Sequence, residues 1–141
     1  MNVHVEVIDN SELIKNATDA QIEAALTACG LQAEGYAKSN LTAAGRRGEG
    51  ILINSVTNTV RVEKDRATAY VGTDVEYAVY HEVGTGIYTE GGGGRQTPWS
   101  YKDRHGEWHT PRGLKPTHFL KNAIADHVEE YKAIIESHLK G

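Results

Sequence analysis

Apolar and polar positions change rhythm several times along the chain. Val3, Val5 and Val7 alternate with His4 and Glu6 before Ile8, the period of a short, half-buried strand. Asn10–Ser11 suggests a turn, and Leu13–Ile14 a brief helical stretch. The spacing then shifts to three and four. Ile22, Ala25, Leu26, Cys29, Ala33, Tyr36, Ala37 and Leu41 share one face of an amphipathic helix of about six turns. Thr18, with Gln21 three residues on, has the spacing of a capping box that opens it. Gly30 and Gly35 weaken this helix, each by roughly 1 kcal/mol relative to alanine. Ala25, Ala33 and Ala37 are small enough to let a neighbour approach closely. Gly45 and the polar run Arg46–Gly50 end the helix and open a loop.

Ile51–Val56 fits either a strand or a helical turn around Asn54–Ser55. Thr59–Glu63 and Ala67–Val71 flank Lys64–Asp65–Arg66 and predict a β-hairpin, with Val60, Val62, Ala69 and Val71 as core positions. Val75–Val83 is apolar, part strand and part helical turn, and Gly84–Thr85–Gly86 stops it. Gly91, Gly92, Gly93 and Gly94 have no side chains to pack, and ordering them costs on the order of 1–2 kcal/mol per residue in backbone entropy. Trp99–Tyr101 and Glu107–His109 flank Asp103–Gly106 as a second predicted hairpin. Pro116 and Thr117, the latter as N-cap, open a last helix of about 22 residues, or about 33 Å. Its stripe is Leu120, Ala123, Ile124, Val128, Tyr131, Ile135 and Leu139, widened by Phe119 and Ile134. The expected fold is α+β in a single domain over residues 1–141. A mostly antiparallel sheet of hairpins packs against a long helix in the N-terminal half and a long C-terminal helix, with a flexible excursion at 84–116.

Composition narrows the function. Apolar residues make up 39% of the 141 and charged residues 24%, the balance of a soluble globular protein. A formal net charge of −4 offers no broad basic face to a nucleic-acid backbone. Cys29 is the lone cysteine and falls on the apolar helical face, so a buried thiol is expected and a cysteine-rich zinc site is excluded. The opening residues lack the basic start and apolar run of a signal peptide, and no segment is apolar over the length a membrane helix needs. Cytosol-like folding conditions are therefore expected.

Candidate chemistry is thin. His81–Glu82 begins like a helical zinc-protease motif, but position 85 is Thr85 and Gly84 and Gly86 oppose the helix. His105 and His109 are four apart, beside Asp103 and Glu107, with His118 further on. A metal-dependent enzyme built on His105, His109 and His118 is the alternative class. No phosphate loop, dinucleotide fingerprint or nucleophile elbow is present, so no catalytic residue, cofactor or resident metal is assigned. Glycines Gly91–Gly94 followed by Trp99, Tyr101 and Trp108 instead suggest a docking element, because aromatic side chains concentrate at interface hot spots.

Three stretches carry a family resemblance. Tyr77–Ala78–Val79–Tyr80–His81–Glu82–Val83–Gly84–Thr85 has an aromatic–alanine pair, an acid, an apolar residue and Gly-Thr. Gly50, Leu52, Ser55 and Val56 fit a Gly-x-Leu-x-x-Ser-Val pattern, although Glu49 stands where a threonine is usual. Lys115–Pro116–Thr117–His118–Phe119–Leu120–Lys121–Asn122–Ala123 is similar to a Pro-Phe-Leu…Ala helix opening, with Thr117–His118 inserted. Taken in chain order, Gly50–Val56, Tyr77–Thr85 and Lys115–Ala123 resemble the small neck and tail-completion proteins of tailed double-stranded-DNA bacteriophages and prophages. The resemblance implies an α+β fold and a non-enzymatic virion protein assembled in the host cytoplasm. It also implies a ring, expected to hold six copies, that contacts the tail tube protein and the head connector protein and lets DNA pass unbound. It offers no catalytic residues: Gly84 would serve a turn, and Phe119–Leu120 would anchor the last helix.

Overall fold

A computed structural model describes residues 12–46, 49–64, 66–85, 101–102, 105–106, 108–109 and 113–140, with backbone alone at 12–13, 101–102 and 108–109. The chain divides into two compact units, one of Val75–His118 and the other of Asn2–Asp74 with Phe119–Gly141. The expected strand at Val3–Ile8 lies outside the described residues.

The larger unit is built around one helix. After α1 (Glu12–Lys15), α2 runs from Asp19 to Ala43. Its start is the expected capping box: the Gln21 N–H donates to Thr18 Oγ1 at 3.1 Å, and the Thr18 N–H donates to Gln21 Oε1 at 2.9 Å. Its end is a Schellman motif. Gly45 takes φ +80, its N–H donates to the Thr42 carbonyl, and the Arg46 N–H donates to the Leu41 carbonyl. Ala25, Cys29, Gly30, Ala33, Ala37 and Leu41 are the buried face. The small residues on it allow the Thr57–Gly72 hairpin and the helical segments within Phe119–Lys140 all to pack on α2.

That hairpin is β1 (Thr57–Val62) and β2 (Ala67–Gly72), antiparallel with Thr57 opposite Gly72 and Val62 opposite Ala67. The Glu63 N–H donates to the Arg66 carbonyl at 2.7 Å and closes the turn. The even positions of β1 are half-buried and the odd ones exposed. Val60, Val62, Ala69 and Val71, expected in the core, are only half-buried, because one layer of small α2 residues cannot enclose a two-stranded ribbon. Gly30 lies under Asn58, where a Cβ would come within 2.8 Å of Oδ1.

The expected sheet-based fold needs correction. The fold is a small, mostly helical α+β arrangement, not a sheet with helices packed on it. Among the described residues its one substantial β element is the β1–β2 hairpin. Ile51–Val56 and Val75–Val83, short apolar runs whose period does not separate strand from helix, form helices α3 (Gly50–Ser55) and α4 (Ala78–Val83). Of the second expected hairpin, the described residues show a two-residue ladder, β3 (Tyr101–Lys102) against β4 (Trp108–His109).

The last helix is also two: α5 (Phe119–Ala125) and α6 (Val128–Lys140). Neither proline nor glycine lies between Phe119 and Lys140, so side-chain contacts set the break. In a continuous helix the His127 N–H would donate to the Ala123 carbonyl. Here it donates to Ile124, and the Tyr131 hydroxyl donates to the Ala123 carbonyl instead. The His127 ring lies flat on Tyr36, with centroids 3.5 Å apart and planes 2° apart, and its Nδ1 is 3.7 Å from Glu130. Glu130 also accepts from the Tyr36 hydroxyl and from Gln32 Nε2. Cys29, Ala33 and Tyr131 form the buried centre of this packing, with Val71, Ile124, Ile134 and Ile135 against it. Cys29 is buried as expected, its thiol donates to the Tyr131 carbonyl at 3.7 Å, and burial pushes its pKa up to about 11.

Candidate functional site: the clamp below the glycine-rich excursion

The smaller unit brings two of the three motif stretches into direct contact. Helix α4 ends at Gly84, whose φ of +83 suits glycine, and the Gly84 N–H donates to the Tyr80 carbonyl at 3.1 Å. A short helix leaves its last carbonyls without partners inside the helix. The segment before α5 supplies them. The Thr117 N–H and hydroxyl each donate to the His81 carbonyl at 2.8 Å, and the His118 N–H donates to the Glu82 carbonyl at 3.1 Å. One step outward, the Thr85 N–H donates to the Leu114 carbonyl at 2.9 Å, and the Leu114 N–H donates to Thr85 Oγ1 at 2.8 Å.

Side chains complete the clamp. Glu82 is 1% exposed, and a buried carboxylate needs a partner. His118 Nδ1 stands 3.3 Å from its Oε2. His118 reaches it from a φ of +50, a left-handed conformation that is uncommon for histidine. Thr117 is thus not the helix cap that its position suggested: α5 begins at Phe119, and the Thr117 hydroxyl serves α4 instead. Ala78 and His81 are buried, while Tyr77 and Tyr80 are exposed on α4, Tyr77 edge-on to His81 with centroids 6.2 Å apart.

The remaining motif residues lie in the larger unit. Leu52 is fully buried, and the Ser55 hydroxyl donates to the Leu52 carbonyl at 2.6 Å and also meets Thr73 Oγ1. Gly50 opens α3 with free space around it. Phe119, Leu120 and Ala123 are buried at the start of α5, and Asn40 Nδ2 donates to the Phe119 carbonyl at 3.2 Å. Pro116 is half-buried. Of the expected docking residues, Gly91–Gly94 and Trp99 lie outside the described residues, as do the side chains of Tyr101 and Trp108, whose backbones belong to the β3–β4 ladder.

Chemically, the arrangement joins chain segments. Thr85 and Thr117 use their hydroxyls on backbone groups, and Glu82 pairs with His118. Among the described residues no group of three His, Cys, Asp or Glu side chains is placed to hold a metal. His118 is committed to Glu82, His105 is exposed in a turn, and the His109 side chain lies outside the described residues. Nor, among the described residues, is any helix long and apolar enough to cross a membrane.

Sequence reasoning missed the Glu82–His118 pair. Its signal was an acid inside the apolar run Val75–Val83. Burial of that run obliges the carboxylate to find a partner, but not a particular one 36 residues away. No protein-family model, curated protein or solved structure matches the chain.

Proposed function

We propose that the chain is a structural, non-enzymatic component of the neck or tail end of a tailed bacteriophage or prophage. In this reading copies form a ring, expected to be six, that completes the tail, contacts the tube protein and the head connector, and leaves a passage for DNA. The reading is supported by three motif stretches in family order. The observation that carries it is the clamp, in which Tyr77–Thr85 and the Lys115–His118 segment hold each other through backbone bonds. A clamp of this kind fixes both ends of the residue 86–112 excursion. In this reading Gly91–Gly94, Trp99, Tyr101 and Trp108 contact a neighbouring subunit, the tube or the connector.

The test is the mass of the purified protein by light scattering, alone and with polymerised tail tubes. A hexamer-sized particle, or stoichiometric binding at tube ends, supports the neck role. A monomer that ignores both tubes and connector rejects it. Replacing Trp99 and Trp108 together by alanine is expected to leave a folded protein that fails in tail joining. An unfolded double variant would assign those side chains to the core instead.

A further inference from the structure

The outward face of α2 has the composition of a contact surface. Its buried residues, Ala25, Cys29, Ala33, Ala37 and Leu41, occupy one side. Steps of three and four residues along the opposite side give Ala20, Ala24, Thr27, Leu31, Gly35 and Lys38, and the first five of these are exposed. A solvent-facing helix side normally carries charge. Along this line the one charged group is Lys38, with Glu23 and Glu34 at its margins, and its centre is Leu31, which is 58% exposed. Leu31 is also the midpoint of the 25-residue helix. Gly35 stands one turn further on, at a cost to the helix, with nothing within 4 Å of where its Cβ would be. No contact among the described residues explains that glycine.

We infer that this face binds the same face of a second copy, with the two α2 helices antiparallel and a twofold axis at Leu31. The charge pattern selects both occupant and direction. Antiparallel pairing sets each residue before Leu31 against the one equally far after it. Leu31 then meets Leu31, Thr27 faces Gly35, and Lys38 falls beside Glu23 and Ala24 of the second copy. Glu23 is exposed and makes no ion pair among the described residues, so it is available to Lys38. Lys38 also holds its own Glu34 at 3.6 Å, which keeps its ammonium group at the margin of the face. Parallel pairing would instead bring Glu23 to Glu23 and Lys38 to Lys38. One face therefore matches itself at its apolar centre, its open glycine and its charged ends, as an isologous contact requires. This inference is independent of the neck role.

Sedimentation of the full-length protein over a range of concentrations tests it. The wild type is expected to show a monomer–dimer equilibrium. Leu31→Arg, on an exposed position, should keep the fold and weaken the dimer by more than about tenfold. Gly35→Ala should raise the melting temperature of the monomer yet weaken the dimer severalfold, a combination that a merely exposed helical glycine would not produce. Glu23→Lys should weaken it roughly three- to tenfold, and adding Lys38→Glu should restore it. A wild type that stays monomeric, a dimer indifferent to Leu31→Arg, or a charge swap that fails to restore association would each overturn the proposal.

Discussion

The two units hold together by different physics. Around α2 the bonds are mainly burial: Leu41, Leu52, Phe119 and Ala123 are fully enclosed, and small residues let neighbouring elements come close. Around α4 they are mainly polar: backbone bonds to the His81 and Glu82 carbonyls, two threonine hydroxyls and a carboxylate–imidazole pair. Burial is non-directional and accepts any side chain of suitable volume. The clamp depends on particular donors and on left-handed backbone at Gly84 and His118. It follows that the first region sets global stability, and the second sets where the ends of the excursion lie.

The largest expected effect separates the two. Leu41→Ala should lower the unfolding free energy by about 2–5 kcal/mol, the usual range for an enclosed leucine, read from denaturant melts. Thr117→Val, which removes one hydroxyl bond, should cost only about 1 kcal/mol globally. Its signature is local, as faster amide exchange at 114–118. A global loss from Thr117→Val as large as that from Leu41→Ala would erase the contrast.

Tyr131→Phe tests whether polar contacts matter inside the apolar region too. It leaves the Ala123 carbonyl without the Tyr131 hydroxyl, a loss of about 1–3 kcal/mol if no water replaces it. An unchanged melt would mean that the hydroxyl does not set the α5–α6 break.

Alkaline pH should act on the same region. Burial raises the Cys29 thiol from 9.0 to about 11 and raises the Tyr131 phenol as well. Both groups are acids held neutral by the fold, so their contribution is complete below the unfolded pKa. It is lost as pH rises through the folded one. For Cys29 alone, stability should fall by about 1.4 kcal/mol per pH unit between roughly 9 and 11. Cys29→Ala should flatten that slope. Thiol reagents should leave native Cys29 unmodified near neutral pH and react once the chain unfolds.

The smallest effect has the opposite sign. Two glycines in one helix should respond differently. Gly30→Val drives a side chain into Asn58 and should cost about 1–3 kcal/mol. Gly35→Ala meets open space and should add up to about 1 kcal/mol to monomer stability. Equal responses in thermal melts would show that Asn58 moves aside freely.

By itself the sequence determined the features that neighbouring residues decide. The Thr18–Gln21 box, the α2 stripe, the Gly45 stop, the turn after Glu63 and burial of Cys29 all follow from spacing, propensity and φ preference within a few residues. Only the tertiary structure decided whether Ile51–Val56 and Val75–Val83 are strand or helix, since runs that short carry no decisive period. It also decided the break at His127, where the Tyr131 hydroxyl, eight residues beyond Ala123, takes the place of a helix bond to the Ala123 carbonyl. The Glu82–His118 pair and the use of Thr117 belong to the same class. Sequence requires that a buried acid and a helix's last carbonyls be satisfied, and the approach of a distant segment chooses which groups satisfy them.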